Sequence, residues 1–513
     1  MKIKKVWAIS VLAAAVAFGA SACTKSGDGK VDHKGANVFP VSTYDDTLPV
    51  AMGDVMPFYD NGVMNIYHLQ DSGNSPYYHP IARLTTTDFV HYTDEGIALN
   101  YEKDISSHDA ALGTGSFIKD ENGKYHCFYT GHAASKDEVD PDVLEVVRHA
   151  TSDDQKTWVK DEDFKLAGNA SENYLNNDFR DPYVYYDSVD ECYYMLVTTR
   201  DKMDGVESGV IKRYTSSSLD ATADGWKYKD IFYDEPVGTY NMECPSYIEL
   251  NGYYYLAFSE QNPNPVTHYR YKTSRDGEWK QFDRDVIDSL GFYAGRLEKA
   301  GDTLYSFAWC ARLAGGSSGG FGWGGSLVTH QIVQNSETGE LSAVMPQSYK
   351  DIFSHEVTYN SVSGEKVSGY TFDGDKFAAH GVEKLSGNVT RISLKIQSSG
   401  DSGDFGLSFG LDGDYNNRLG SAVIAFEPAK GKITCYNGVS SILRYGAPLT
   451  SVAFEFEKDK SYSADIIIDG EVMTVYLNTE VALTVRIPDM KESNFAFYSN
   501  GAKATIQDIK FYE

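Results

Sequence analysis

The sequence predicts an all-β protein, with a five-bladed β-propeller followed by a C-terminal β-sandwich. Three observations predict this class. Five aromatic-rich strands recur over the first two thirds of the chain, most are followed by a Ser/Thr/Asp turn with a Trp or Tyr beyond it, and about ten short alternating segments fill the remainder. Sustained helical periodicity is almost absent from the mature chain. With 513 residues and 42% hydrophobic content, the chain is long enough for two or more domains.

The first 23 residues predict an export signal of the lipoprotein type. A basic start is followed by an apolar stretch over 6–20 and by small residues that lead to Cys23. This ending resembles a bacterial lipoprotein signal, which implies cleavage after Ala22 and a lipid on Cys23. The polar, glycine-containing stretch that follows predicts a flexible tether over 24–42. We therefore expect an exported protein at the cell surface, with the lipid as its one attachment to a membrane.

Residues 43–346 predict the propeller. The recurring strands are MNIYHLQ from Met64, YHCFYTG from Tyr125, YYMLVTT from Tyr193, YYLAFSE from Tyr254 and LYSFAWC from Leu304. Turn-plus-aromatic segments follow at 86–92, 151–160, 216–228 and 273–282. A period of roughly 40 to 70 residues that carries several strands is typical of propeller blades around a central channel.

The remaining chain predicts a linker and a second domain. A brief polar and aromatic stretch over 347–356 interrupts the pattern. Residues 357–513 then alternate between apolar and polar positions in short segments separated by Gly, Asp and Asn. This pattern is typical of a two-sheet sandwich.

Charge and cysteine content exclude several functions. The 46 basic and 73 acidic residues give a net charge of −27 without a basic stripe, so nucleic acid is a poor partner and a neutral ligand such as carbohydrate fits better. The five cysteines beyond Cys23 are odd in number and form no C-x-x-C pair, which argues against a disulfide scaffold or a structural zinc site. We expect no cofactor and no metal.

Three acidic residues stand at similar distances ahead of the recurring strands. Asp54 precedes its strand by 10 residues, Asp181 by 12 and Glu243 by 11. Near-equivalent positions in radial repeats converge on one axis, so we expect the three carboxyl groups in one cavity. Such a set suits glycoside hydrolysis, which needs one group at the anomeric carbon and another to protonate the leaving oxygen. Asp60 is the competitor of Asp54 for the first role, although Asp60-Asn61-Gly62 has the composition of a hairpin turn.

The motifs around these acids resemble glycoside hydrolase family 32, the invertases, inulinases and levanases. They are Arg180-Asp181-Pro182, Glu243-Cys244, GTGS at 113–116 and WGGSL at 323–327. The resemblance implies a propeller and sandwich that cleave β-fructosides with retention through a covalent fructosyl intermediate. It further implies Asp54 as nucleophile, Glu243 as general acid/base and Asp181 as the stabiliser of the developing oxocarbenium ion. Substrate-binding residues expected from the resemblance are Arg180, Gln70, Tyr78, Ser116, Tyr293 and Trp323.

The chain departs from the family pattern at the nucleophile. Family members carry Asp-Pro-Asn-Gly there, whereas this chain has Asp54-Val55-Met56-Pro57. The inverting arabinan and xylan hydrolases of family 43 are therefore an alternative. A fructosyltransferase and a non-catalytic fructan-binding surface protein are two more.

Overall fold

The protein is built almost entirely from β-strands, which confirms the predicted all-β class. The computed structural model describes residues 35–44, 48–71, 79–104, 106–133, 144–168, 178–236, 238–262, 265–313, 321–387, 389–400, 402–411, 419–438 and 445–513. Within these ranges there are 33 strands and one α-helix of six residues. None of the helical residues among them belongs to a helix long and apolar enough to cross a membrane. The signal segment 1–23, Cys23 and Tyr78 lie outside the described residues.

The N-terminal region holds the first twenty strands. They are β1 (Ser42–Tyr44), β2 (Leu48–Asp60), β3 (Val63–Asp71), β4 (Ile81–Thr86), β5 (Thr93–Leu99), β6 (Ala111–Lys119), β7 (Tyr125–His132), β8 (Glu145–Ser152), β9 (Val159–Lys160), β10 (Phe179–Asp187), β11 (Cys192–Met203), β12 (Val206–Ser216), β13 (Lys227–Asp234), β14 (Met242–Leu250), β15 (Tyr253–Glu260), β16 (Thr267–Lys272), β17 (Tyr293–Ala300), β18 (Thr303–Leu313), β19 (Phe321–Gln334) and β20 (Leu341–Val344).

These strands pair antiparallel with their sequence neighbours in the groups β2–β5, β6–β9, β10–β13, β14–β16 and β17–β20. Within the described ranges, one residue pair, Gly325 with Met52, joins β19 of the last group to β2 of the first. The first and last repeats are therefore hydrogen-bonded to each other, a closure that the sequence did not reveal. The number of five blades stays a prediction.

The recurring turns have a common geometry in the first two groups. The Thr86 hydroxyl accepts hydrogen bonds from the backbone N–H groups of residues 88 and 89, and the Ser152 hydroxyl does the same for residues 154 and 155. The residue three positions after the hydroxyl-bearing residue has positive φ in both turns, 64° at Phe89 and 61° at Gln155. A hydroxyl that replaces a backbone acceptor explains why Ser or Thr opens these turns.

The C-terminal region is a pair of packed sheets. Its strands are β21 (Glu356–Val357), β22 (Gly369–Asp373), β23 (Phe377–Val382), β24 (Val389–Ser398), β25 (Asp404–Leu411), β26 (Ala422–Glu427), β27 (Lys432–Gly438), β28 (Tyr445–Ala453), β29 (Ser461–Asp469), β30 (Val472–Leu477), β31 (Val481–Arg486), β32 (Asn494–Asn500) and β33 (Lys503–Tyr512). One sheet has the order β21-β33-β24-β29-β30-β31 with β22 beside β33, and the other has the order β23-β32-β25-β26-β27-β28. Buried aliphatic and aromatic residues of both sheets form one core.

Two connecting segments are more ordered than the sequence indicated. The expected linker 347–356 contains helix α1 (Gln347–Ile352), and its buried Tyr349 donates a hydrogen bond to the carbonyl of Val38. The end of the expected tether 24–42 is also packed, because Val38 is fully buried and its N–H bonds to the Asp469 carboxylate. Apolar side chains cover both segments, so the described part of the chain is packed from about residue 37 onward.

A buried polar network joins the two regions. The Asp288 carboxylate accepts hydrogen bonds from the backbone N–H and the hydroxyl of Thr484 on β31, and lies 2.8 Å from the His330 ring on β19. The other ring nitrogen of His330 is 3.0 Å from the Tyr476 hydroxyl on β30. Arg486 donates to the Ala311 carbonyl on β18. The sandwich is therefore fastened to the last strand group of the N-terminal region.

Candidate active site

A β-bulge recurs in the first strand of each of the five groups. The pairing with the following strand gains one extra residue in β2, β6, β10, β14 and β17. Four residues within these bulges have positive φ: Asp54 (41°), Asp181 (58°), Cys244 (55°) and Ala294 (55°). An extra residue interrupts the alternation of side chains between faces and re-aims them. This repeated bulge positions the candidate site.

The bulge separates the three acids into two registers. Asp54 and Asp181 are the positive-φ residues of their strands, whereas Glu243 stands one residue before Cys244, which has that conformation in β14. The predicted equivalence of the three positions is therefore wrong by one residue for Glu243. Its true counterparts are Arg180 on β10 and Tyr293 on β17, and both contact it.

All three acids line one cavity of about 310 Å³. Its wall is formed by Asp54, Leu69, His79, Ala111, Leu112, Gly113, Thr114, Thr130, His132, Glu145, Arg180, Asp181, Glu243, Cys244 and Trp323. This volume lies at the lower end of the range for small-molecule sites. The spacing of the repeats thus correctly predicted that Asp54, Asp181 and Glu243 converge.

Asp54 is held by two hydrogen-bond donors from other strands. The Trp309 indole N–H donates to Oδ1 at 3.0 Å, and the Thr114 hydroxyl donates to Oδ2 at 3.1 Å. Burial raises the pKa of Asp54 from 3.8 to about 6, and the Glu243 carboxylate adds to the rise, although the two hydrogen bonds oppose it. The carboxyl group is therefore fixed in orientation and titrates close to neutral pH.

Asp181 is the more deeply buried of the two aspartates. Its Oδ2 accepts a hydrogen bond from the Cys244 backbone N–H at 2.9 Å, and its own backbone N–H donates to the Thr130 hydroxyl. Burial raises the pKa of Asp181 to about 7; the Arg180 guanidinium opposes the rise, and the Glu243 and Asp54 carboxylates add to it. Burial and mutual repulsion therefore raise the pKa of both aspartates toward neutral pH.

Glu243 is held by the side chains of its two counterparts. Arg180 donates from Nε at 3.2 Å and from Nη2 at 2.8 Å to Oε1, and the Tyr293 hydroxyl donates to Oε2. Both oxygens of Glu243 therefore have a protein donor. Arg180, which the resemblance assigns to substrate binding, lines the cavity and directs its guanidinium to Glu243.

Two further acids complete the surroundings of Arg180. Its Nη1 donates to Glu145 Oε2 at 3.1 Å and to the Asp178 carboxylate. Burial opposes ionisation of Glu145, but the Arg180 charge and hydrogen bonds from His132 and the Phe179 N–H outweigh it and lower the pKa of Glu145 to about 2. Glu145 therefore stays charged and balances Arg180. Sequence reasoning missed Glu145 because it belongs to none of the repeated motifs.

Trp323 also lines the cavity. Its indole stacks on the His79 ring, with centroids 4.4 Å apart and planes 3° apart. A Cβ on Gly53 would lie 2.2 Å from the indole, so only glycine fits beneath it. Gly53, Thr114 and Trp309 were missed by sequence reasoning. Thr114 and Trp309 lie far from Asp54 in the chain and the fold brings them to it, whereas Gly53 directly precedes Asp54.

Two expected substrate-binding residues point elsewhere. Gln70 is 2% exposed and donates to the Ser42 hydroxyl, while its neighbour Leu69 lines the cavity. Ser116 is buried and accepts a hydrogen bond from the Val184 N–H, which joins β6 to β10. Neither side chain lines the cavity, contrary to expectation. At Gln70 the reason is that adjacent residues of a strand face opposite sides. Ser116 follows the bulge of β6, which changes the face that a side chain occupies.

Asp60, the competitor for the nucleophile role, lies away from the cavity. Its carboxylate accepts hydrogen bonds from the Lys119 ammonium and the Tyr125 hydroxyl. Asn61 and Gly62 have positive φ, as the predicted hairpin turn requires. The geometry therefore favours Asp54.

Metal-ligand spacing occurs at a different place. Among the described residues, one group of His, Cys, Asp and Glu side chains has that spacing, namely Asp120, His126 and Asp220. None of the three lines the cavity. What the cavity offers is two raised-pKa aspartates and a glutamate with fixed donors, a set able to perform nucleophilic attack and proton transfer.

Two curated relatives of this chain are named as a sucrose-6-phosphate hydrolase and a levanase. A sucrose-6-phosphate hydrolase of Vibrio alginolyticus is 30% identical over 196 residues, which cover 37% of this chain and 35% of the relative. A levanbiose-producing levanase of Geobacillus stearothermophilus is 24% identical over 285 residues, which cover 49% of this chain and 64% of the relative. The similarity thus spans about a third and just under two thirds of the length of these two relatives.

Solved structures share the fold over nearly the whole chain. The sucrose-6-phosphate hydrolase of Lactobacillus gasseri has a TM-score of 0.68 at 18% identity and covers 93% of this chain and 92% of its own. The fructan 1-exohydrolase IIa of Cichorium intybus has a TM-score of 0.66 at 14% identity, with 92% and 96% covered. Such neighbours consist of a β-propeller and a β-sandwich, which confirms the predicted fold class.

The family assignment comes from a match over half of the chain. The model described as "Glycosyl hydrolases family 32 N-terminal domain" matches residues 57–313. Asp181 and Glu243 lie inside this range, and Asp54 lies three residues before it. The chain belongs to glycoside hydrolase family 32.

Proposed function

We propose that this protein is a retaining glycoside hydrolase that cleaves β-fructosidic bonds in levan, inulin, fructo-oligosaccharides or sucrose. The observation that carries the proposal is the convergence of Asp54, Asp181 and Glu243 on one cavity, each with a different set of hydrogen-bond partners. Both curated relatives are named for hydrolysis of such sugars, which supports the same substrate class here.

Each acid has surroundings that suit one role. Asp54, oriented by Trp309 and Thr114, attacks the anomeric carbon of the fructosyl unit and forms a covalent intermediate. Glu243 gives its proton to the departing oxygen, and then takes a proton from the water that cleaves the intermediate. Asp181 binds fructose hydroxyls and stabilises the positive charge that develops on the ring.

The charges of the cavity favour a neutral substrate over a phosphorylated one. Among the described residues that line it, Arg180 is the one permanently charged cation, and its N–H groups already bond to Glu243, Glu145 and Asp178. Burial lowers the pKa of His79, so its ring does not supply a second positive charge. Sucrose should therefore be cleaved with a higher kcat/KM than sucrose 6-phosphate.

The test is release of fructose from sucrose, inulin and levan by the purified protein. Asp54→Asn and Glu243→Gln should each abolish release, whereas Asp60→Asn is the control, because it removes a carboxylate of the same strand that lies outside the cavity. Wild-type inactivity on all three sugars, together with measurable binding, would instead identify a non-catalytic fructan-binding protein.

Reaction in methanol separates the two stereochemical outcomes. Methanol that intercepts a covalent intermediate gives a methyl β-fructoside, which cannot mutarotate and is identified by NMR. A methyl α-fructoside, or water as the sole acceptor, would favour the inverting alternative of the family 43 type. Growth of fructo-oligosaccharides at high sucrose concentration would identify a fructosyltransferase, which uses the same residues.

The location of the protein is part of the proposal. We propose export and attachment to the cell surface through a lipid on Cys23. Radiolabelled fatty acid should enter the wild-type protein and be absent from Cys23→Ala, which should be released into the soluble fraction. Equal labelling of both proteins would exclude Cys23 as the attachment point.

A further inference from the structure

A histidine with an unused nitrogen lies beneath the turn between β6 and β7. The side chain of His126 on β7 is fully buried, and its Nε2 has no hydrogen-bond partner among the residues that the structure describes. An unpaired buried polar atom is costly and rare in native proteins.

Two carboxylates from different strand groups face this nitrogen. Asp120, at the β6–β7 turn, uses Oδ1 to accept the backbone N–H groups of Asn122 and Lys124, while its Oδ2 lies 3.7 Å from His126 Nε2. Asp220 follows β12 in the next group. The ligand atoms of Asp120, His126 and Asp220 all lie within 4.8 Å of one another.

A second histidine contacts the other ring nitrogen of His126. His126 Nδ1 lies 3.0 Å from Nε2 of the buried His149, and His149 Nδ1 lies 3.9 Å from an Asp161 carboxylate oxygen. If His126 Nδ1–H donates to His149, then His126 Nε2 is a bare lone pair directed at the two carboxylates. Hydrogen-bonding the distal nitrogen in this way is the usual support for a histidine that ligates a metal.

We propose that Asp120, His126 and Asp220 bind a divalent first-row transition-metal ion, with Zn²⁺ as the representative. One imidazole nitrogen with two carboxylate oxygens is a donor set that Zn²⁺ accepts, with water in the open position. Ca²⁺ takes six to eight oxygen ligands and has little use for a histidine. The site is separate from the cavity of the three catalytic acids, and it does not depend on the proposed function.

The metal would join neighbouring strand groups. Asp120 and His126 belong to the β6–β9 group, and Asp220 belongs to the β10–β13 group, where the adjacent Leu219 is buried in a core shared with Phe128. A ligand that binds only the folded state stabilises it by mass action. The Lys124 ammonium lies 3.2 Å from the Asp220 carboxylate. Its positive charge pairs with this carboxylate when the metal is absent and competes with the metal for it.

Titration calorimetry and thermal unfolding test the proposal on the full-length protein, stripped with a chelator and free of a histidine tag. Zn²⁺ should bind with one-to-one stoichiometry and raise the unfolding temperature. Asp220→Asn, at a largely exposed carboxylate, should weaken binding at least ten-fold without harming the fold. Lys124→Ala should strengthen binding. Asp224→Asn, an exposed acid of the same loop, is the matched control and should bind like the wild type.

Two results would overturn the proposal. The first is the absence of Zn²⁺ binding to the wild-type protein at concentrations up to about 1 mM, a limit weaker than any useful site. The second is equal affinity in the wild type and Asp220→Asn, which would place the bound ion elsewhere. His149→Phe tests the contribution of the second histidine. It removes the hydrogen-bond partner of His126 Nδ1, so the affinity for Zn²⁺ should fall by about 10-fold to 100-fold.

Discussion

Replacing Asp54 by asparagine should stabilise the protein at neutral pH while removing its activity. The asparagine Oδ1 can still accept the Trp309 indole N–H, and the Thr114 hydroxyl can rotate to accept from Nδ2, so both hydrogen bonds at Asp54 survive. What the substitution removes is a buried negative charge beside Glu243. The variant therefore measures how much the buried charge of Asp54 destabilises the folded protein, while the hydrogen bonds at this position are kept.

The magnitude follows from the pKa of Asp54. Burial and Glu243 raise it from 3.8 to about 6, and each unit corresponds to about 1.4 kcal/mol. Because the folded-state pKa is the higher one, the folded protein binds this proton more tightly, and wild-type stability falls as pH rises from about 4 to about 6. The variant should therefore gain at most about 3 kcal/mol at pH values above about 7, and only about 0.6 kcal/mol near pH 4.

Differential scanning calorimetry at these two pH values measures the gain. With an unfolding entropy of about 2.1 cal/mol/K per residue, 3 kcal/mol corresponds to a rise of about 3 °C if the 513 residues unfold together. Asp60→Asn, which removes the negative charge that pairs with Lys119, should show no gain at either pH. A gain that is absent at high pH, or equal at both pH values, would refute the reasoning.

Three other perturbations have defined outcomes. Gly53→Ala should lower kcat/KM for sucrose by about 10²-fold, because the new Cβ displaces the Trp323 indole; unchanged kinetics would contradict this contact. Below about pH 6, kcat/KM should fall about ten-fold per unit, since the attacking Asp54 must be ionised, and Glu243→Gln should move this limb to lower pH on a nitrophenyl fructoside. A limb that stays in place would remove Glu243 as a cause of the raised pKa. Asp288→Ala should lower the free energy of unfolding in urea by about 3 kcal/mol, because it leaves the buried His330 without its carboxylate; a loss within error would show that the network contributes nothing.

The fold could be predicted from the sequence because each repeat has a characteristic amino-acid composition. Aromatic strands and hydroxyl-initiated turns are local features, and the Thr86 and Ser152 turns have the geometry that their residues favour. The packed segment around Val38 could not be foreseen. A polar, glycine-containing stretch looks flexible until the partners that bury its end, here Tyr349 and Asp469, are known.

The three acids of the site could be predicted from the sequence, but the residues that contact them could not. The spacing of the repeats predicted that Asp54, Asp181 and Glu243 converge. A one-residue bulge, however, changes the face that a side chain occupies, and no residue type in the sequence indicates where such a bulge lies. For that reason Glu243 shares a register with Arg180 instead of Asp181. The same alternation explains why Leu69 reaches the cavity and Gln70 does not.

The buried contact between the two regions limits how this protein can be dissected. Asp288 and His330 have their remaining partners, Thr484 and Tyr476, on the sandwich, and the Arg486 side chain reaches back to β18. A chain cut near residue 346 would expose Asp288 and His330 to water, although both are buried in the intact protein. These residues lie beside β18, the strand that carries Trp309. Inactivity of such a fragment would report damage to the support of Asp54, whatever the sandwich binds. Any role of the sandwich in holding polysaccharide must be sought with surface substitutions in the intact chain.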